Sequence, residues 1–427
     1  MKRILSVILV GLLCLSMFSA FAPKVKAQQS TVDWWSTFRH DLTHTGYSTS
    51  TAPLTNQLLW NYTTGNSIAY SSPAVVNGVV YVGSTDDYVY ALNAATGTYI
   101  WSYKTGSSVD SSPAVASGIV YIGSEDHKVY ALNATTGAKI WSYQTGDKVE
   151  SSPAVANGVV YVGSDDSKLY ALNAATGAKE WIYTTGSAVI STPAVVNNVV
   201  YFGSEDDYVY ALSATTGTKI WSYETNDEVD SSPAVVNSIV YIGSDDYNVY
   251  ALNAVTGAFV WSFGTGNDVV SCPAVANGVV YIGSENYNVY ALNAASGSKI
   301  WSYPTSNQVE SSPAVAGGVV YVGSDDDNVY AINATTGDTV WTYGTGYYVD
   351  SSPAVANGVV YVGSEDDDVY ALGAIAVPQP SPIVPSPTIP EFPNQALVFS
   401  LVAFMACAAF AVIVAKRKRI NGKILQG

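Results

Sequence analysis

Short runs of apolar and β-branched residues recur along the middle of the chain, and each run is bounded by residues that favour turns. The unit at residues 109–143 contains the runs Val-Asp-Ser-Ser-Pro-Ala-Val-Ala, Ile-Val-Tyr-Ile-Gly-Ser, Val-Tyr-Ala-Leu-Asn-Ala and Lys-Ile-Trp-Ser-Tyr. Runs of this composition and length, separated by Ser, Asp, Thr and Gly, are typical of strands. Each unit is therefore predicted to form a four-stranded antiparallel meander.

The unit recurs with a period of 40 residues. The phrase Ser-Ser-Pro-Ala-Val, with Thr or Cys at its second position in two copies, begins at Ser71, Ser111, Ser151, Ser191, Ser231, Ser271, Ser311 and Ser351. A repeat of about 40 residues with four strands is the blade of a β-propeller, whereas a helical or leucine-rich solenoid needs a helical periodicity that is absent here. We predict an all-β fold in which residues 58–374 form an eight-bladed β-propeller of four-stranded antiparallel blades.

A tryptophan in the fourth run predicts how the ring of blades closes. This tryptophan occurs at Trp60, Trp101, Trp141, Trp181, Trp221, Trp261, Trp301 and Trp341. Trp60 precedes the first unit, and the last unit, which ends near Ala374, has no such tryptophan. The run Leu58-Leu59-Trp60-Asn61-Tyr62 should therefore supply the outer strand of the last blade.

The phrase that leads to each later tryptophan resembles a known family. Residues 171–181 read Ala-Leu-Asn-Ala-Ala-Thr-Gly-Ala-Lys-Glu-Trp, which is similar to the tryptophan-docking motif of pyrroloquinoline-quinone (PQQ) type propellers, although that family often has Asp where this chain has Asn or Ser213. The segment from Trp34 to Tyr47 also resembles the lead-in of that family. The resemblance implies a structural docking role for the eight tryptophans, each lying flat against the small Ala and the Gly turn of the next blade.

The same resemblance raises the question of catalysis. PQQ dehydrogenases of the family need a disulfide between adjacent cysteines, a bound calcium and a catalytic Asp, mostly on insertions between blades. This chain has no adjacent cysteines, and its blades repeat without insertions. We therefore expect no catalytic residue and no cofactor, as in non-catalytic members such as the bacterial outer-membrane assembly lipoprotein that acts as a scaffold. The alternative is a quinoprotein-like dehydrogenase or another enzyme with its site at the channel mouth.

The N-terminal residues predict export. Residues 1–27 carry Lys2 and Arg3, then an apolar run and a final Val-Lys-Ala, which is typical of a secretory signal peptide. An uncleaved anchor helix is the alternative. Residues 28–57 form a lead-in segment that precedes the first blade.

The C-terminal residues predict a membrane anchor. Residues 375–395 are rich in proline and favour an extended stalk, and residues 396–415 are an uncharged run long enough to cross a bilayer. The tail, residues 416–427, begins with four basic residues and is expected to stay in the cytoplasm. The sequence Pro390-Glu391-Phe392-Pro393 before the apolar run also resembles the PEF-type sorting signal of archaeal surface proteins.

The charge balance limits the chemical classes of partner that the chain can bind. The chain has 18 Lys and Arg against 34 Asp and Glu, a net charge of -16. Nucleic acids are bound by clustered Lys and Arg, so we expect no nucleic-acid partner. Cations or a basic protein are compatible with this charge.

Strand topology places most of the acidic residues on one face of the predicted disc. The turns between second and third strands hold nineteen acids, and the loops that enter first strands hold ten. The second residue after each Gly-Ser is Asp or Asn in all eight units, and we expect it to bond the backbone of its own turn. The remaining acids include candidates for a calcium site near the channel mouth: Asp110, Glu150, Asp230, Glu310, Asp350, Asp367 and Asp368.

The few Cys and His residues suggest no further chemistry. Cys14 and Cys407 fall in the apolar end segments, so Cys272 is a lone thiol in the propeller, and we expect it to be a small buried side chain. His40 and His44 have a spacing that a metal pair or a catalytic dyad could use. We favour the simpler expectation that they pack the lead-in segment against the rim of the propeller.

Three asparagines, Asn61, Asn133 and Asn333, begin N-glycosylation sequons. These sequons, the export signals, the repeated blades and the acidic face together lead to a functional hypothesis. We expect a non-catalytic module anchored to the outer face of the cell membrane, which binds a protein, a glycan or cations through its acidic face. A structural component of the cell envelope is a second alternative to this binding role.

Overall fold

The computed structural model describes residues 33–374, and in this range it consists of strands, turns and loops without a helix. None of the described residues therefore forms a helix with the length and apolarity that membrane crossing requires. The predicted signal peptide (1–27), stalk (375–395), apolar segment (396–415) and basic tail (416–427) lie outside the described residues.

Two strands precede the repeats, β1 (Tyr47–Ser48) and β2 (Gln57–Thr63). Blades 1 to 4 each consist of four consecutive strands: β3 (Ala74–Val76), β4 (Val79–Gly83), β5 (Tyr88–Asn93), β6 (Tyr99–Lys104); β7 (Ala114–Ala116), β8 (Ile119–Ser124), β9 (Lys128–Asn133), β10 (Lys139–Gln144); β11 (Ala154–Ala156), β12 (Val159–Ser164), β13 (Lys168–Asn173), β14 (Lys179–Thr184); β15 (Ala194–Val196), β16 (Val199–Ser204), β17 (Tyr208–Ser213) and β18 (Lys219–Glu224).

Blades 5 to 7 repeat this pattern, and the last repeat has three strands. They are, in order, β19 (Ala234–Val236), β20 (Ile239–Ser244), β21 (Asn248–Asn253), β22 (Phe259–Gly264); β23 (Ala274–Ala276), β24 (Val279–Ser284), β25 (Asn288–Asn293), β26 (Lys299–Pro304); β27 (Ala314–Ala316), β28 (Val319–Ser324), β29 (Asn328–Asn333), β30 (Thr339–Gly344); β31 (Ala354–Ala356), β32 (Val359–Gly363) and β33 (Asp368–Gly373).

The strands form eight antiparallel sheets, which confirms the predicted eight-bladed propeller of four-stranded blades. Blade 8 is completed by β2, which pairs with β33 so that Trp60 lies opposite Ala371. The N-terminal strand therefore closes the ring at the position that Trp60 predicts. β1 adds a short parallel strand to the inner edge of β27 in blade 7.

The hydrophobic core lies between neighbouring blades. One cluster joins Val89 and Ala91 of blade 1 to Val120 and Ile122 of blade 2, and all four side chains are fully buried. Each middle strand is covered by a blade on both sides, so its residues are apolar at consecutive positions. A strand with one wet face would instead alternate between apolar and polar residues.

Each fourth-strand tryptophan joins its blade to the next one. The indole N–H of Trp101 donates to the Ala134 carbonyl of blade 2 at 2.9 Å, and its ring lies on Gly137. A Cβ at Gly137 would come within 2.7 Å of that ring, so only glycine fits. Seven tryptophans use an equivalent Ala, whereas Trp341 donates to Pro53 because the last repeat has no Thr-Gly turn.

The lead-in segment lies in the central channel, so the expectation that it packs against the rim is wrong. Its backbone carbonyls accept hydrogen bonds from N–H groups of first strands in six blades, beginning with Trp35, which accepts from Val75 at 2.7 Å, and ending with Gly46, which accepts from Val315. The first strands are innermost, and their inner edges would otherwise leave these buried N–H groups unpaired.

Candidate functional site at the channel mouth

The channel is open at the acidic face and closed beneath by the lead-in segment. A cavity of about 330 Å³ occupies the open end, and Phe38 of the lead-in contributes to its lining. The rest of the lining comes from two rings that have one residue per blade, and every ring residue except Ser72 lines the cavity. The residue before each Ser-Ser forms the mouth ring, which comprises Tyr70, Asp110, Glu150, Ile190, Asp230, Val270, Glu310 and Asp350.

The second residue of each Ser-Ser phrase forms the deeper ring, called here the hydroxyl ring. Its members are Ser72, Ser112, Ser152, Thr192, Ser232, Cys272, Ser312 and Ser352. Each side chain accepts a hydrogen bond from the backbone N–H of the corresponding residue in the preceding blade, and Ser352 closes the circle by donating to Ser72 at 2.9 Å. Within the described residues, no hydroxyl of this ring donates to another protein group.

The first serine of each phrase links blades in a second way. The Ser111 hydroxyl donates to the Ser151 carbonyl of the next blade at 3.0 Å and accepts from Gly123 N–H of its own blade. Both serines are therefore hydrogen-bonded at the buried inner edge of the blades. The sequence reasoning assigned no role to this pair, although its recurrence in nearly every unit was the available signal.

Four carboxyls of the mouth ring have strongly raised pKa values. Burial and neighbouring carboxylates raise the pKa of Asp110 to about 7, that of Asp230 to about 8 and that of Glu310 to about 7. Burial and a hydrogen bond with the Asp325 carboxyl raise the pKa of Asp350 to about 10. The mouth therefore gains negative charge gradually as the pH rises through neutrality.

A second set of acids, from the turns between second and third strands, surrounds these carboxyls. Burial and nearby acids raise the pKa of Asp165 to about 7 and that of Asp245 to about 7. One cation is close: Lys148 Nζ lies 2.7 Å from Glu125 and 3.4 Å from the mouth-ring Glu150. The two sets of loops share one face, since Glu125 N–H donates to the Ser108 carbonyl.

The calcium candidates do not converge on one point. Glu228, Asp230 and Asp245 offer carboxylate oxygens within 4.8 Å of one another, and of these three only Asp230 is among the sequence candidates. The carboxylate of Asp368 accepts hydrogen bonds from Asn61 and Thr63 on the outer strand β2, and the Asp367 carbonyl accepts from Thr64. Asp110, Glu150, Glu310 and Asp350 are distributed around the mouth ring.

The recurrent Asp or Asn of the acidic turns mainly fastens the loop that enters its own blade. Asp126 accepts from Gly106 N–H at 2.9 Å and from the Tyr130 hydroxyl. In blade 6, Asn286 instead donates to the Thr265 carbonyl at 2.6 Å. The expected bond to the turn's own backbone forms in some blades, such as Asp86 with Tyr88 N–H at 3.0 Å.

The two histidines of the lead-in segment bind separate groups. His40 Nε2 lies 3.0 Å from Asp33, and contacts with Asp33 and Asp41 raise the pKa of His40 against the opposing effect of burial. His44 Nδ1 lies 3.1 Å from the Pro233 carbonyl, and burial lowers the pKa of His44 to about 4. Their side chains thus position the lead-in segment inside the channel.

Arg39, which the sequence reasoning missed, is the most deeply buried charged residue in the part of the chain that the structure describes. It is 1% exposed, and all three of its guanidinium nitrogens lack a hydrogen-bond partner. Burial lowers the pKa of Arg39 to about 10, while Cys272 and Asp41 act in the opposite direction. No sequence motif marks this arginine, since only the course of the lead-in segment places it there.

The candidate glycosylation residues lie on the surface of the blades. Asn61 is exposed on β2, where its amide nitrogen donates to Asp368 at 2.8 Å. Asn133 and Asn333 are partly exposed at the ends of β9 and β29, and the side-chain oxygen of each accepts backbone N–H groups of the following turn. In both, the amide nitrogen that would carry a glycan is free of these bonds.

Comparisons with known proteins match this architecture. A family model described as "Outer membrane protein assembly factor BamB" matches residues 46–150, 125–262, 205–313 and 304–375. Among solved structures, BamB from Moraxella catarrhalis is similar with 19% identity and a TM-score of 0.66, over 75% of this chain and 100% of that one. No curated protein sequence matches.

Enzymes share the fold as well. A europium-containing methanol dehydrogenase is similar with 15% identity and a TM-score of 0.70, over 80% of this chain and 98% of that one. The quinohemoprotein alcohol dehydrogenase from Comamonas testosteroni has 16% identity and a TM-score of 0.69, over 80% of each chain. At these identities the likeness is one of fold, which hosts both catalytic and non-catalytic proteins.

Proposed function

The chain belongs to the family of the outer membrane protein assembly factor BamB, and from this premise we propose that it is a non-catalytic binding module whose acidic face receives a basic segment of a partner protein. The observation that carries the proposal is the shape and charge of the channel. Its open end is ringed by carboxyls, and its other end is closed by the lead-in segment.

The partner class follows from electrostatics. Five of the eight mouth-ring residues are acidic, and further acids surround them, so Lys and Arg side chains gain favourable interactions on approach. Contact with a cation also lowers the cost of ionising carboxyls such as Asp230 and Asp350, whose pKa values are raised by burial. A glycan lacks this charge complementarity, and it is therefore the weaker candidate.

The location of the module is part of the proposal. The predicted signal peptide and apolar C-terminal segment support a chain that is anchored by its C-terminus and carries the propeller on the outer face of the cell membrane. The predicted proline-rich stalk would hold the propeller away from the bilayer. Its acidic face would then meet partners at the cell surface.

Binding of charged peptides tests the proposal. We expect the full-length chain in detergent to bind a Lys/Arg-rich peptide, with affinity that falls as salt rises, and to reject an Asp/Glu-rich peptide of equal length. The triple variant Asp230→Asn, Glu310→Gln, Asp350→Asn should weaken binding about tenfold or more. A control with Glu180→Gln and Asp338→Asn, both away from the mouth, should bind as the parent does.

Equal binding by the triple variant and its parent would contradict the proposal. So would alcohol oxidation by the chain after addition of PQQ and Ca²⁺, because turnover would favour the quinoprotein-like alternative. Calcium is a useful competitor in the binding assay. Displacement of the peptide by Ca²⁺ in the parent, but not in a Glu228→Gln, Asp245→Asn variant, would assign cation binding to the three carboxylates near Asp230.

A further inference from the structure

The lead-in segment passes from blade to blade in short steps along its own sequence, except at blade 3. The residues whose carbonyls accept from blades 1, 2, 4, 5, 6 and 7 are, in that order, Trp35, Ser36, Leu42, Thr43, Thr45 and Gly46. Between blades 2 and 4 the segment turns back on itself, since His40 N–H donates to the Thr37 carbonyl at 3.0 Å. No lead-in carbonyl therefore covers the inner edge of blade 3 within the described residues.

Val155 carries the backbone group that this detour leaves open. Its counterpart in blade 4, Val195, donates its N–H to the Leu42 carbonyl at 2.8 Å. Strand β11 pairs with β12 in the same register as β15 with β16, so Val155 N–H also points into the channel, where the described part of the chain gives it no acceptor. Val355 of blade 8 likewise donates to no lead-in carbonyl, but it is fully buried, whereas Val155 is partly exposed. Blade 3 thus offers an open edge that another molecule can reach.

A cavity of about 560 Å³ lies against this open edge and is called here the second cavity. Its apolar lining comes from the lead-in segment and from the first strands of blades 2 and 3: Leu42, Ala114, Val115, Ala116 and Val155. The strand residues follow the hydroxyl ring in the sequence, so the second cavity lies farther from the acidic face than the mouth does. Most of the lining residues are partly exposed, and the volume is in the range of sites for small ligands.

The polar lining of the second cavity leaves uncharged donors unused. His40 Nδ1 lies 3.5 Å from Asp41, and the Asp41 carboxylate also accepts from the backbone N–H and the hydroxyl of Thr43. Both charges are thus engaged within the lead-in segment. The Thr37 side chain is 7% exposed, and its hydroxyl has no hydrogen-bond partner among the described residues. This hydroxyl and Val155 N–H are donors that a carbonyl oxygen would satisfy.

We propose that the second cavity binds an uncharged, extended peptide segment of another molecule, in which one residue pairs its backbone with Val155 and packs an apolar side chain against Val115 and Leu42. Blade 1 shows this pairing, because Trp35 of the lead-in forms an antiparallel bridge with Val75 and its side chain is only 2% exposed. The N–H and C=O of one strand residue point to the same side, so a peptide residue can use both groups of Val155. The inference stands independently of the proposed binding of a basic segment, since the two cavities share no lining residue.

Hydrogen exchange of the full-length chain in detergent tests the open edge. Mass spectrometry with fragmentation to single residues follows the N–H of Val155 and, as the matched control, that of Val195, which donates to Leu42. We expect Val155 N–H to exchange at least about tenfold faster than Val195 N–H in the free chain. Equal rates would overturn the proposal, because the edge of blade 3 would then be covered.

The probe for binding is the capped tripeptide acetyl-Ala-Val-Ala-amide. At saturation it should slow the exchange of Val155 N–H about tenfold and leave that of Val195 unchanged. The same tripeptide methylated at its valine nitrogen is the control, and it should protect Val155 much less because it cannot donate to the Val155 carbonyl. No protection by the first tripeptide up to its solubility limit, or equal protection by both, would contradict the proposal.

Variants locate the bound tripeptide. Ala116→Leu puts a larger side chain into the second cavity, at a position where blade 1 has Val76, and it should abolish binding measured by calorimetry. Val155→Pro removes an N–H that bonds no other group of the fold, so it should lose the tripeptide yet destabilise the chain less than Val195→Pro does. The triple variant of the mouth carboxyls should bind the tripeptide as the parent does. Unchanged binding by Ala116→Leu, or loss of binding in the triple variant, would place the tripeptide elsewhere and overturn the proposal.

Discussion

The eight fourth-strand tryptophans, called here the belt, and the rings of the channel come from the same repeat. They differ in how closely the blades agree in sequence. In the belt, all eight blades carry the tryptophan, and each indole N–H donates to a backbone carbonyl beyond its own blade. In the channel, the mouth ring has Tyr70, Ile190 and Val270 among five acids. The hydroxyl ring has Thr192 and Cys272 among six serines.

The difference shows where packing constrains the repeat. A belt residue contacts the same neighbours in every blade, so the same side chain is needed each time. A mouth-ring residue projects into open space, where different side chains fit equally well. The mouth ring therefore varies between blades where the tryptophan belt does not, and the proposed partner binding uses this variable ring.

Removal of a belt tryptophan should have the largest effect on stability. Trp221 is 8% exposed, and Trp221→Ala loses its burial, its hydrogen bond to Ala254 and the packing on Gly257. We expect the free energy of unfolding to fall by about 3–5 kcal/mol, measured by denaturant titration. The adjacent Ile220 is 50% exposed, so Ile220→Ala should cost no more than about 0.5 kcal/mol. Similar costs for the two variants would contradict the docking role.

Interruption of the hydroxyl ring should have the next largest effect. Ser72→Ala leaves the buried N–H of Ser352 without its acceptor, which should cost about 1–3 kcal/mol in the same titration. Ser72→Thr is the matched control, because Thr192 already occupies the ring in blade 4 and accepts from Ser152. If the alanine variant were as stable as the threonine variant, the ring would contribute little to closure.

The mouth carboxyls should make stability fall as the pH rises. Their folded-state pKa values are raised, to about 7 for Asp110, about 8 for Asp230 and about 7 for Glu310, so the folded chain holds protons that the unfolded chain has released. Their contribution is complete below about pH 4 and is lost on the way to about pH 8. Thermal unfolding measured across this pH range tests the expected loss of stability.

Asp350→Asn should reduce this pH dependence, since burial and the Asp325 contact raise the pKa of Asp350 to about 10. We expect a gain of about 1 kcal/mol for this variant at pH 10 and a smaller one at pH 5. Asp338→Asn, in a turn away from the channel, is the control and should leave the profile unchanged. A parent whose stability rose between pH 5 and pH 8 would contradict the raised values.

The surface ion pair at Lys148 should matter least. Its Nζ lies 2.7 Å from Glu125, but the lysine side chain is 42% exposed, and exposed pairs contribute about 0–1 kcal/mol. Lys148→Gln should therefore change unfolding by less than about 1 kcal/mol at low salt and by less at high salt. A larger loss would mean that this cation organises the acidic face.

Much of the fold could be predicted because it depends on local patterns. The period, the turn residues and the position of Trp60 predicted eight blades and the pairing of β2 with β33. The course of the lead-in segment could not be predicted, because its carbonyls pair with first strands far away in sequence, as Gly46 does with Val315. The burial of Arg39 beside blade 6 could not be predicted either, because no residue adjacent to Arg39 in the sequence indicates it.

The candidate site was predicted only in part. Five acidic residues precede innermost strands in the sequence, and this place predicts a position at the mouth. In the structure these five line the cavity: Asp110, Glu150, Asp230, Glu310 and Asp350. Asp368 was also a candidate for a calcium site near the channel mouth. In the structure, however, its carboxylate accepts hydrogen bonds from Asn61 and Thr63 of the outer strand. Strand pairing across the closed ring decides that contact.

The sequence by itself determined the number of blades, the closing strand and the acidic face, because strand periodicity and turn chemistry act over a few residues. The tertiary structure alone decided that the lead-in segment closes the channel, that buried carboxyls share the mouth and that Arg39 is buried close to Gly46 and blade 6. These features depend on burial and on charges brought together from distant parts of the chain, which a linear pattern does not record.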